Sequence, residues 1–234
     1  MIICGLDISK THYALVIKDT ETKAVDYILC TTAKPIIKKA VKDEIIVHEL
    51  KAWQSFKKEI ESQEAYNLYL CSAIYNYLLE DLVTIPELKG TMAIEGYAIH
   101  GSGQVLQIAE IAGLAKTIFY NAYWKIRILA PRSVKLWATG NGSAEKNEIL
   151  EKAIEEKLYI PDYIIKTDTA YDISDAYFLM RMVETELKIR KDPLYMKKLT
   201  EQQKVVFNRV TKANPNNILS TPFIWKKTEK EIKL

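Results

Sequence analysis

Three apolar runs near the N-terminus, parted by only a few polar positions each, constrain this chain more than any other feature. They read MIICGLDI, HYALVIKD and AVDYILCTT, with breaks at residues 9–11 and 20–23. Short runs rich in β-branched and aromatic residues, bounded by polar turns, read as strands. Connections this short join antiparallel neighbours. The chain therefore opens with a three-stranded antiparallel meander.

Helices enter after a Lys-rich connection and a short apolar run, EIIVHEL, whose state the pattern leaves open. Residues 51–82 place Trp53, Phe56, Ile60, Tyr69, Ile74, Tyr77 and Leu78 at helical spacing, as one long helix or two joined ones. GTMAIEGY, bounded by Gly90 and Gly96, returns the chain to the sheet at residues 91–95, and an apolar helix over about 102–123 follows. KIRILA is a further strand. Pro131 can start a helix at PRSVKLWA, and TGNGS breaks it. Ser143 and Lys146 form only part of a capping box at the head of SAEKNEILEKAIEEKL. A last helix is expected over about 172–190. The order βββ, α, β, α, β, α, α is an α/β pattern in which later strands are reached through helices.

With 234 residues, 48% of them hydrophobic, the chain suits one large domain or a domain with an extension. It shows neither a signal peptide nor an apolar run long enough to span a membrane, so a cytoplasmic protein with no membrane partner is the expectation. Cys4, Cys30 and Cys71 lack metal-ligand spacing and fit packed, reduced thiols. The net charge of +3 is unevenly spread: residues 188–234 hold twelve Lys or Arg against four Asp or Glu, so that segment carries +8 and the rest −5. A solvated tail and a polyanion-binding extension both fit that asymmetry.

The informative residues are acids. In this layout Asp7 ends the first strand, Glu95 ends the fourth, and Asp172 and Asp175 sit on the first turn of the late helix. Parallel packing of those two strands would set Asp7 beside Glu95, and a helix across that edge would bring the other pair to the same point. Residues three apart on a helix have β-carbons roughly 5–6 Å apart, a separation suited to ions about 3.5–4 Å from one another. Four carboxylates without a cation would repel one another and raise their pKa values, so the cluster implies Mg²⁺ or Mn²⁺. Read singly, Asp7 is a turn residue, Glu95 a surface acid and Asp172 a helix cap.

GLDIS, AIEGY, APRSVKLWATGNGSAEKNEI and DISDAYFLM, in that order, resemble the successive blocks of RuvC-type Holliday junction resolvases of the RNase H-like superfamily. The resemblance covers roughly residues 1–32 and 90–188. It implies an RNase H-like mixed sheet, three antiparallel strands then parallel ones, flanked by helices. It also implies a nuclease domain over 1–188, enlarged at about 33–89, and a basic extension over 189–234. Asp7, Glu95, Asp172 and Asp175 match the family's metal-binding carboxylates, two Mg²⁺ being expected per site with Mn²⁺ as a substitute. Lys146 matches a lysine close to the cleaved backbone. The implied reaction is paired hydrolysis of four-way or other branched DNA by a homodimer, leaving 5′-phosphate and 3′-hydroxyl ends. Tyr97 is the nearest aromatic to the family's junction-inserting position, and the expanded layout looks more like bacteriophage-type resolvases.

Arg132, Lys135 and the loop from Gly140 to Ser143 offer cations and backbone N–H groups to DNA phosphates, although glycine loops also simply end helices. Val105, Leu106, Ile108, Ile111, Leu114, Ile118 and Phe119 cover more than one face of their helix, which suits either a core helix or one shared with a second protomer. An RNase H-like nuclease or transposase-related protein with another nucleic-acid substrate is the alternative. A non-catalytic junction binder would not need all four acids, and a sugar-kinase-like ATPase would need a Gly-rich phosphate loop that the chain lacks.

Overall fold

The computed structural model describes residues 1–40, 43, 45–56, 62–84, 90–96, 104–211 and 223–224. The opening runs form β1 (Ile2–Ile8), β2 (Tyr13–Asp19) and β3 (Val25–Thr31), paired as an antiparallel meander. Helix α1 (Lys34–Ala40) leads to β4 (Val47–Glu49), which settles the open state of EIIVHEL as a short strand parallel to β3. Two helices follow, α2 (Trp53–Phe56) and α3 (Gln63–Thr84), with 57–61 outside the described residues.

On the other side of β1 come β5 (Gly90–Glu95), α4 (Gln104–Asn121) and β6 (Lys125–Leu129), giving a six-stranded sheet in the order β4-β3-β2-β1-β5-β6. Strands β1, β5 and β6 are parallel. The β1–β3 meander on one side of β1, with β4 added parallel at its edge, and the parallel strands on the other side make the mixed sheet, antiparallel then parallel, that the resemblance implies. Helices α5 (Pro131–Thr139), α6 (Lys146–Glu155), α7 (Asp162–Ile165) and α8 (Asp168–Lys191) come next, then a 3₁₀ turn at Pro193–Lys198 and α9 (Glu201–Thr211).

Strand side chains alternate between faces, and this alternation divides the core in two. Ile2, Cys4, Leu6 and Ile8 of β1, with Met92 and Ile94 of β5, pack under α3 and α4. Ile3, Ala14, Val16, Ala93 and Leu129 pack on the opposite face with the apolar residues of α5, α6 and α8. Met196, Val206 and Phe207, beyond residue 188, are buried in that second core. Strands β2 and β4 are tied to α3 by a buried acid: Asp81 accepts from Tyr13 Oη at 2.5 Å and pairs with His48 Nε2 at 2.6 Å. His48 stacks on Tyr77 with ring centroids 4.4 Å apart.

Helix α8 lies against β1, close enough that Gly5 leaves no room for a side chain: a Cβ there would meet Ala176 O at 1.9 Å. Farther along, Glu184 takes Lys18 Nζ of β2 at 2.9 Å, and Glu186 is gripped by Arg127 of β6 through two guanidinium N–H groups. Ion pairs to strands on either side of β1 therefore fix the helix. Residues 223–224 return to the β6 edge, where Ile224 and Ile126 exchange both backbone hydrogen bonds and Phe223 stacks within 4.5 Å of the Arg127 guanidinium.

Candidate active site

Side-chain parity selects the acids. On β1, Asp7 shares the α8 face with Ile3 and Gly5; on β5, Glu95 shares it with Ala93. The parallel register pairs Leu6 with Ile94, so the next residue along each strand sets Asp7 abreast of Glu95. Asp7, one residue before the end of β1, and Glu95, the last residue of β5, are both half-buried. Across from them, α8 brings Asp172, which is buried, and Asp175, which is half-buried.

Helix α8 begins earlier than the sequence suggests. Its N-cap is Thr167 and its first turn carries Asp168, so Asp172 and Asp175 lie inside the helix and Asp172 caps nothing. Thr169 and Ala170 extend the helix toward its N-terminus because Ala170 is buried in the core, an apolar anchor that the polar TDTAYD stretch obscures. The cap of α6 also differs from expectation. Glu145, not Ser143, is the N-cap, and its N–H donates to Glu148 Oε1 at 2.7 Å, which leaves Lys146 as the first helical residue.

The electrostatics show the acids acting on one another. Burial holds the Asp7 carboxyl well above the usual carboxylate range; Glu95, Asp175 and Asp172 push it further, and Lys146 opposes them. Burial also pushes Glu95 up to about 7, with Asp175 adding to the rise and Lys135 and Lys146 countering it. For Asp175 the value is about 6, raised by burial and by Asp172 and countered by Lys146 and Lys135. Two lysines thus stand within electrostatic reach of the acids. Lys135 Nζ donates to Ala144 O at 2.9 Å, bridging α5 to the loop before α6. Lys146 is exposed, with its ammonium 5.6 Å from the Tyr171 ring.

The remaining candidates are more peripheral. Arg132 is exposed and packs beside Gly142, whose position a Cβ would crowd to 2.9 Å from Arg132 Cγ. Gly140 ends α5 in the left-handed region at φ 81°, and Ser143 is exposed, its N–H bound by Asn141 Oδ1 at 2.9 Å. Tyr97 lies outside the described residues.

One neighbour escaped the sequence reading. His12, one residue before β2, places Nε2 3.0 Å from Asp172 Oδ2. Its parity is that of Ala14 and Val16, which face α8, and this is the signal that would have found it. A cavity of about 300 Å³ opens beside the pair, lined also by Thr31, Thr32, Thr167 and Thr169. Among the described residues, no three His, Cys, Asp or Glu side chains stand close enough to grip an ion as they are, and none of the described helices is long and apolar enough to cross a membrane.

No protein-family model and no curated protein matches the chain. Among solved structures it is similar to Thermus thermophilus RuvC, at a TM-score of 0.47 and 18% identity over 78% of this chain and 97% of that one. T. thermophilus RuvC in complex with Holliday junction substrate gives 0.46 and 16% over 77% and 90%. The yeast mitochondrial Holliday junction resolvase gives 0.41 and 13% over 76% and 75%.

Proposed function

We propose that the chain is a RuvC-like, metal-dependent endonuclease of bacteriophage type that resolves Holliday junctions and other branched DNA. The observation that carries this reading is the convergence of Asp7, Glu95, Asp172 and Asp175, from β1, β5 and α8, on one face of the sheet. Acids so placed raise one another's pKa values, and a divalent cation would relieve the repulsion. Their donors are all oxygen, which suits Mg²⁺ or Mn²⁺ and not zinc.

Two Mg²⁺ ions held by these four acids, or Mn²⁺ in their place, would supply an activated water and stabilise the departing 3′-oxygen, leaving 5′-phosphate and 3′-hydroxyl ends. The protein's own groups hold the strand. Lys146, exposed at the head of α6 and near three of the acids, takes a non-bridging phosphate oxygen and offsets charge gathered there during the reaction. Lys135 adds positive field from α5 and braces the loop through Ala144 O. Arg132 and Ser143, both exposed, meet flanking phosphates, and Tyr97 is assigned to the junction centre on the resemblance.

Paired cuts need two sites, hence a homodimer. Ile111, Ala115, Ile118 and Phe119 of α4 are buried against the sheet while Leu114 and Tyr120 remain exposed, which supports α4 as the shared helix.

The test is cleavage of a synthetic four-way junction with and without Mg²⁺. Paired, metal-dependent nicks that vanish in Asp7→Asn and Asp175→Asn are expected. Equal cutting of linear duplex would favour a general RNase H-like nuclease, and undiminished cutting by either variant would overturn the site.

A further inference from the structure

We infer that His12 is a positioning residue for Asp172, an assignment that rests on the function proposed above. The β1–β2 turn sets the imidazole directly against the acid, Nε2 lying 3.0 Å from Asp172 Oδ2. That turn is itself pinned: the Ser9 N–H and the Ser9 hydroxyl both donate to His12 O, at 2.9 and 3.1 Å. The ring is held at its other nitrogen too, since Thr11 Oγ1 lies 3.1 Å from Nδ1.

A carboxylate can only accept, so a ring hydrogen on Nε2 suits the 3.0 Å approach to Asp172 Oδ2, and the Thr11 hydroxyl can then donate to Nδ1. Asp172 Oδ2 is then fixed from outside its own helix, and Oδ1 is left for another partner. The Asp172 side chain is only 9% exposed and that of His12 34%, so the contact lies in partly excluded water, where a polar neighbour orients a carboxylate more firmly than at an open surface. Groups that hydrogen-bond a metal-binding carboxylate set its orientation, and losing one typically costs about 10- to 100-fold in metal affinity.

A competing role has the opposite sign. If His12 merely occupied Asp172 until a cation arrived, removing it would tighten cation binding. The pinned turn and the Thr11 contact at Nδ1 favour positioning, because a placeholder must swing away and this ring is held on the side away from Asp172.

Mn²⁺ binding to the metal-free full chain, followed by electron paramagnetic resonance, separates these roles. His12→Ala is expected to weaken Mn²⁺ binding about 10- to 100-fold. His12→Gln, whose amide N–H reaches toward the Nε2 position, is expected to restore most of it, and the shorter His12→Asn is not. The Mg²⁺ concentration for half-maximal junction cleavage should rise by the same factor, with a smaller fall in rate at saturating Mg²⁺. Unchanged or tighter Mn²⁺ binding by His12→Ala, or equal binding by the Gln and Asn variants, overturns the inference. If the unaltered chain binds Mn²⁺ and cuts junctions, that failure leaves the proposed function standing; if it binds no Mn²⁺, both fall.

Discussion

Gly5→Ala is the most incisive single change, because it adds one methyl group and alters none of the proposed ligands, yet acts on the helix that carries two of them. The new Cβ would lie 1.9 Å from Ala176 O and 2.5 Å from Met180 N, both backbone atoms of α8. Ordinary van der Waals contact requires at least 3.4 Å, so strand and helix must part by about 1.5 Å at Ala176. No flexible side chain can absorb the displacement. Nor can the helix drift freely, since Glu184 and Glu186 tie it to β2 and β6 roughly two to three turns beyond Ala176. Overpacking of this kind costs roughly 1–3 kcal/mol, which for a chain of this size lowers the unfolding midpoint by roughly 2–12 °C. Ala176 adjoins Asp175, and a misplacement of about 1 Å in a reacting constellation can cost on the order of 100-fold. Thermal unfolding, Mn²⁺ binding and junction cleavage of Gly5→Ala are therefore expected to weaken together in a chain that still folds. An unchanged midpoint with unchanged Mn²⁺ affinity would refute the seating of α8 on β1 as the device that positions the acids.

Asp7→Asn removes the carboxylate that burial and the other three acids oppose. The metal-free variant should unfold at a higher temperature than the unaltered chain and lose the stabilisation by Mg²⁺, which amounts to about 2.7 kcal/mol at a hundred times the dissociation constant; differential scanning calorimetry reads both. Arg127→Met leaves the buried Glu186 to Arg190, 2.7 Å away, and breaking a buried pair of this kind costs up to roughly 3–5 kcal/mol, measurable by urea unfolding. Burial opposes the charge of Glu184, yet hydrogen bonds from Lys188 and Lys18 and the nearby Arg181 hold it at about 2 against an ordinary 4.5. A depressed carboxyl stabilises the fold fully above pH 4.5 and loses that contribution as the pH falls through 2, up to about 3 kcal/mol in all. Glu184→Gln should therefore flatten acid unfolding between those two values.

Much of this architecture was legible because strands and helices write different periods into a sequence. The meander, β5, β6 and α5 fall where runs such as MIICGLDI, TMAIE and KIRIL end in turn residues. The acids were legible for a related reason: a carboxylate closing an otherwise apolar strand is conspicuous, and parallel neighbours bring two such ends together, as Asp7 and Glu95 show. The start of α8 was hidden because Thr167, Asp168 and Thr169 look like a polar loop, and only the burial of Ala170 pulls that stretch into the helix. The short β4 was hidden too, since three residues carry no period.

His12 was missed for a deeper reason, and it bears on how such a site is assembled. Nothing in SKTHY sets a histidine apart from any other turn residue until the register of β2 is known. Once Ala14 and Val16 face α8, His12 must face it as well, and the same face already holds Asp7 and Glu95. One parity rule thus selects every strand-borne residue near Asp172, while α8 selects the rest by its seat on Gly5. The acids alone would leave Asp172 free to rotate about its side-chain bonds. The turn that joins β1 to β2 supplies the missing constraint from the same hairpin that presents Asp7, so a change in that hairpin's register would displace an acid and the imidazole that orients another in a single step.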